Sequence, residues 1–131
     1  MATPLVAEIA ARWIEDGTAK ELVDWQRSEL KERLEILNRH LAGHRYQAQP
    51  STPHVFLDLP SSWRPANFAT HARFERVAVT PAEPFVVGDF PEPQAIRITL
   101  GAAVSRRQLD VGLKHLVALL SQEPEPTYIS L

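Results

Sequence analysis

The spacing of apolar residues changes near Gly43, and that change narrows the folds open to this chain. Before it, Leu30, Leu34, Leu37 and Leu41 recur every three or four residues, as on one face of a helix. After it, "HVFLDLP" (54–60) alternates, with Val55, Leu57 and Leu59 on one side and His54, Phe56 and Asp58 on the other. "QAIRITLG" (94–101) alternates as well: Ile96, Ile98 and Leu100 share one face, Arg97 and Thr99 the other. One side of that strand is core, and the other carries a fixed cation.

Local signals fill in the remaining elements. Thr3-Pro4 reads as an N-cap followed by proline at the first helical position, opening a helix with Leu5, Val6, Ile9, Ala10 and Trp13 on a stripe. Asp16-Gly17 stops it, and Thr18 with Glu21 has the spacing of a capping box. The helix begun there runs to about Leu41, roughly 36 Å at 1.5 Å per residue. Its charged residues, Arg27, Glu29, Lys31, Glu32, Arg33 and Glu35, are expected mostly on the solvated side. The leucine repeat is too short for a coiled coil, so the helix is expected to lie across a sheet.

Pro65 marks a further helix start, with Phe68, Ala69, Ala72 and Phe74 as its apolar set. "VAVTP" (77–81) reads as a short strand, and "FVV" (85–87) as a fragment of another. Ser105 with Gln108 repeats the capping-box spacing before a helix carrying Leu109, Leu113, Leu116, Val117 and Leu120. "QEPEPTYISL" is a proline-broken tail. The order α-α-β-α-β-β-α predicts one domain, residues 1–131. It is α+β, with a long helix leading into a small, mostly antiparallel sheet whose helices pack on one face. His54, Phe56, Asp58, Arg97 and Thr99 then lie toward the uncovered face, which calls for a partner surface.

Composition removes several function classes. The 131 residues, 44% of them hydrophobic, suffice for one core, and a net charge of −2 gives no electrostatic footprint for nucleic acid. Cysteine is absent, which excludes disulfides and thiolate metal sites. The N-terminus has no signal-peptide pattern, and no apolar run approaches the roughly 20 residues of a membrane span; the cytoplasm is expected and a membrane is not.

Catalytic motifs are equally sparse. His40 and His44 form H-x-x-x-H, but Leu41 stands where a zinc protease needs glutamate, so no metal is expected. Ser61, Ser62 and Ser105 lack a nucleophile-elbow context, and no glycine-rich phosphate loop occurs. The three lysines, Lys20, Lys31 and Lys114, sit among charged or polar helix neighbours, unlike a desolvated Schiff-base lysine. No catalytic residue is assigned. Arg97 remains, either solvent-facing or a guanidinium fork for a carboxylate or phosphate.

An ordered set of landmarks carries a family resemblance over nearly the whole chain: "WIEDGTA" (13–19), "RSELKER" (27–33), "HVFLDLP" with Trp63 and Phe68, "VAVTPAEPF" (77–85), and "AIRITLG" with the amphipathic last helix. This set resembles the C-terminal small domain of fold-type I pyridoxal-phosphate enzymes, the aspartate aminotransferase group. More closely it resembles the C-terminal end of MocR-type (GntR-family) regulators, which join a winged-helix DNA-binding domain to an aminotransferase-like domain. The resemblance implies that Arg97 grips the α-carboxylate of an amino-acid substrate or effector. It implies a larger domain of the same polypeptide holding pyridoxal 5'-phosphate, with no cofactor-binding residue in this chain. It also implies a homodimeric parent that reaches DNA only through an N-terminal domain absent here. The family pattern usually has glycine where this chain has Arg76 and Ala82. Two other readings stay open: the small domain of a true aminotransferase, or a free-standing protein-interaction module.

Overall fold

A computed structural model describes residues 3–124. Helix α1 (Pro4–Glu15) turns at Gly17, φ +87°, into the long helix α2 (Thr18–His40). Strand β1 (Tyr46–Ala48) and strand β2 (His54–Asp58) follow, then α3 (Pro65–Phe74), β3 (Thr80–Pro81), β4 (Ala95–Thr99) and α4 (Arg106–Leu120). The sheet is antiparallel throughout, in the order β1-β2-β4-β3. The α+β expectation holds.

Alternation decides which face of the sheet is core. Val55, Leu57, Ile96 and Ile98 are buried beneath α2, α3 and α4, together with Leu30, Leu37 and Leu41 of the long helix and Leu109, Leu113 and Leu116 of the last. On the opposite face His54 is exposed, and Phe56, Asp58, Arg97 and Thr99 are half-buried. Trp63 and Phe68, both fully buried, meet edge-to-face at 5.3 Å. Trp63 Nε1 also donates to Gln122 O at 3.0 Å, tying the end of α4 to the β2–α3 connection.

Several expectations are corrected. The stripe expected on α1, Leu5, Val6, Ile9, Ala10 and Trp13, is present and exposed, because the helix packs against α2 and buries none of its residues. Thr18 does not cap α2: the Asp16 carboxylate accepts from Thr18 N–H at 2.9 Å, and Gly17 is the N-cap. Segment 77–81 pairs with β4 only through Thr80 and Pro81. Residues 85–87 are not a strand. Pro84 fixes φ at the start of a 3-10 turn (Glu83–Phe85) that Phe85 N–H closes on Ala82 O at 3.0 Å. Phe74 is exposed on α3. β1 went unforeseen because "YQA" is too short to show a period. Of the predicted tail, residues 125–131 lie outside the described residues.

The most consequential correction concerns Arg33, expected on the solvated side of α2 and found buried. Its Nη1 donates to Leu100 O at 2.8 Å and Ala103 O at 2.7 Å, bridging α2 to the turn after β4. Its Nε donates to Glu29 at 2.9 Å. Arg106 at the start of α4 grips the same carboxylate at 2.6 Å. Hydrogen bonds from Arg106 first and Arg33 second hold the Glu29 carboxyl down at about 2. The network therefore stays charged to well below the pH at which a free glutamate protonates. Ser105 caps α4 as expected, accepting from Gln108 N–H at 3.1 Å, while the Gln108 side chain reaches one residue further back than a capping box requires, to Val104 N–H.

The missing glycine before "VAVTP" is explained by the end of α3. Val77 N–H donates to Ala72 O and Arg76 N–H to Arg73 O, the paired bonds of a Schellman motif, and Arg76 occupies its left-handed position at φ +61°. The backbone keeps a glycine conformation that an arginine now fills. Ala82, by contrast, sits at φ −76°, where alanine is unstrained.

Two measurements check this account. Arg33→Met leaves two carbonyls and Glu29 without their buried donor and is expected to cost roughly 2–4 kcal/mol, read as a lower urea midpoint at unchanged slope. Arg76→Gly removes a left-handed penalty of roughly 1–2 kcal/mol, part of which glycine's unfolded freedom offsets. A net gain of roughly 0.5–1 kcal/mol is expected in the same assay.

Candidate functional site

Arg97 sits on β4, which is paired on both sides, so its backbone is held by β2 and β3 together. Register places it opposite Phe56 on β2 and Thr80 on β3. All three project on the face away from the helices, because the period of two has assigned Ile96 and Ile98 to the core. The 3-10 turn then brings Phe85 over the arginine: its ring centroid lies 4.3 Å from Arg97 Cζ. Phe56 meets the Phe85 ring edge-on at 5.9 Å and an 80° interplanar angle.

The electrostatics of this site are one-sided. Among the described residues Arg97 has no ion pair, and its buried Nε has no hydrogen-bond partner. Asp58, a carboxylate on the same sheet face, is turned to Arg45, whose Nε lies 3.5 Å from Oδ2. At the far end of the face Thr99 Oγ1 and His54 Nδ1 are 3.5 Å apart. What remains is a guanidinium stacked on an aromatic ring, with its Nη1/Nη2 end unengaged by any described residue. Such a fork suits a planar carboxylate or a phosphate.

The other residues singled out from sequence do not join it. His40 Nε2 lies 2.8 Å from Asp110 Oδ1, an α2–α4 contact. Among the described residues no group of three or more His, Asp or Glu is placed to hold a metal ion. Lys20 pairs with Asp24 at 2.6 Å, and Lys31 and Lys114 are exposed. A cleft of about 260 Å³ opens between residues 76–79 and α4, lined in part by Leu109, Gly112 and Leu113, and does not include Arg97. Phe85 is the site residue that sequence reasoning missed. Its signal was the Pro81-x-x-Pro84 spacing, which favours a turn over a strand.

No family model matches the chain. In sequence it is similar to an uncharacterized HTH-type transcriptional regulator, YdeF, of Bacillus subtilis (strain 168), at 31% identity over 118 residues. The match takes in 90% of this chain and 26% of that protein. In structure it is similar to LysN, an α-aminoadipate aminotransferase from Thermus thermophilus crystallised with N-(5'-phosphopyridoxyl)-L-leucine, at TM-score 0.67 and 20% identity over 88% of this chain. An archaeal alanine:glyoxylate aminotransferase superposes at TM-score 0.65 and 23% identity over 85% of it.

The chain has an aminotransferase-like fold. The resemblance read from the sequence is thus borne out on both sides, by a regulator in sequence and by aminotransferases in fold. The chain spans about a quarter of the regulator's length and 28–29% of each aminotransferase. Among its described residues, no helix is long and apolar enough to cross a membrane.

Proposed function

We propose that this chain is the C-terminal small domain of a MocR-type (GntR-family) regulator and that Arg97 binds the carboxylate of an amino-acid substrate or effector. The observation that carries the reading is a guanidinium on the uncovered sheet face that stacks on Phe85 and has no anionic partner among the described residues. A carboxylate gives that cation charge-assisted hydrogen bonds that no described residue supplies. The regulator reading is preferred to a true aminotransferase because the sequence relative is a regulator, whereas the aminotransferases share the fold at 20–23% identity.

The residues of this chain do not fit a pyridoxal-phosphate site by themselves. A cofactor lysine must be partly desolvated, and Lys20, Lys31 and Lys114 are all exposed. On this reading the cofactor is held by a larger domain of the same polypeptide, in a homodimeric parent, and DNA is contacted by a further N-terminal domain. The part of this chain is to bind and orient. Arg97 fixes one end of the amino acid, Phe56 and Phe85 keep water from one side of the guanidinium, and closure of the larger domain on this face would shield the rest.

The test is Arg97→Ala in the full-length protein that carries this domain, with amino-acid affinity measured directly and cofactor absorbance recorded as a control. A loss of roughly 1.5–3 kcal/mol in amino-acid binding, with cofactor absorbance unaltered, is expected. Unchanged amino-acid affinity overturns the assignment.

A further inference from the structure

We propose that Phe85 is a positioning residue that orients the Arg97 guanidinium for an end-on carboxylate without neutralising it; this rests on the carboxylate reading of Arg97. A long side chain on an open face samples many rotamers unless something holds it. An acidic neighbour would hold an arginine, but it would also occupy the N–H groups a ligand needs. An aromatic face attracts the cation through its quadrupole and leaves those groups in the guanidinium plane free. The 4.3 Å approach of Arg97 Cζ to the Phe85 ring is of this kind.

The ring is itself constrained on both sides. Phe56, opposite Arg97 in the β2–β4 register, meets it edge-on at 5.9 Å. The backbone of the turn is bound to β4, with Ala82 N–H donating to Ala95 O and Phe85 N–H to Ala82 O, each at 3.0 Å. Ala82 is almost fully buried, which anchors the turn two residues upstream of Arg97's own strand position. Asp58 on the sheet face pairs with Arg45, and among the described residues neither it nor Glu83 of the turn forms an ion pair with Arg97. Burial of Nε closes the side-on approach, so a carboxylate meets Nη1 and Nη2.

The experiment titrates acetate into the 131-residue chain at constant ionic strength, with acetamide as the uncharged control, reading affinity from the backbone amide resonances of Phe56, Thr80 and Phe85 in every protein and the arginine's orientation from the Arg97 Nε–Hε resonance where that side chain is present. Four proteins are compared: wild type, Phe85→Leu, Phe85→Tyr and Arg97→Ala. Phe85 is 41% exposed, so leucine in its place leaves the core intact. The proposal expects an upfield, ring-shifted Hε in wild type and Phe85→Tyr that moves downfield in Phe85→Leu. It also expects acetate affinity to fall roughly two- to fivefold in Phe85→Leu and to be kept in Phe85→Tyr. Wild-type affinity in Phe85→Leu, with binding lost in Arg97→Ala, overturns the role of Phe85 and leaves the Arg97 site standing. Equal losses in Phe85→Leu and Phe85→Tyr also overturn it, since the tyrosine keeps the ring face. Unchanged acetate binding in Arg97→Ala overturns the site reading, and this proposal with it.

Discussion

A single buried guanidinium ties the long helix to the sheet. Arg33 crosses from α2 to the carbonyls of Leu100 and Ala103, the residues that end β4 and lead into α4. Those carbonyls follow the last strand residue and precede the next helix, so neither sheet nor helix can satisfy them. Supplying their donor from another element fixes where β4 stops and where α4 begins. The Glu29 carboxylate, shared with Arg106, completes the link from the other side. Register along β4 follows, and with it the face on which Arg97 emerges.

The two arginines show how environment separates structure from function. Arg33 is buried and engages two carbonyls and a carboxylate. Arg97 is half-buried, stacked on Phe85 and without an anionic partner among the described residues. A face that served stability alone would be better filled by a neutral or paired residue. An unpaired cation facing a surface that lacks a cover is instead suited to something that arrives from outside.

Much of the fold was legible because it follows from period alone. The alternation of 54–59 and 95–100 gave the buried face of the sheet, and the leucines of α2 and α4 gave the surfaces that cover it. What period cannot show is where a polar residue finds its partner. Arg33 sits among charged neighbours on the side of the helix that reads as solvated, and its two carbonyl partners lie nearly seventy residues away in sequence. Phe85 was misplaced for a local reason: three apolar residues in a row suit a strand until Pro84 and the Ala82 carbonyl close a turn around them. Arg97 itself stood out as a cation inside an aliphatic strand, although the sequence alone left its role open between solvent and ligand. The exposed stripe on α1 illustrates the converse limit, since helical spacing reports an apolar face and says nothing of whether this domain covers it.

The measurement that bears most directly on the central claim is a crystal structure of the full-length protein with an amino acid bound. The account predicts the two oxygens of its carboxylate at hydrogen-bond distance from Arg97 Nη1 and Nη2, with the guanidinium still lying on the Phe85 ring. An amino acid bound elsewhere, or Arg97 paired with an aspartate or glutamate of the same polypeptide in that complex, would contradict it.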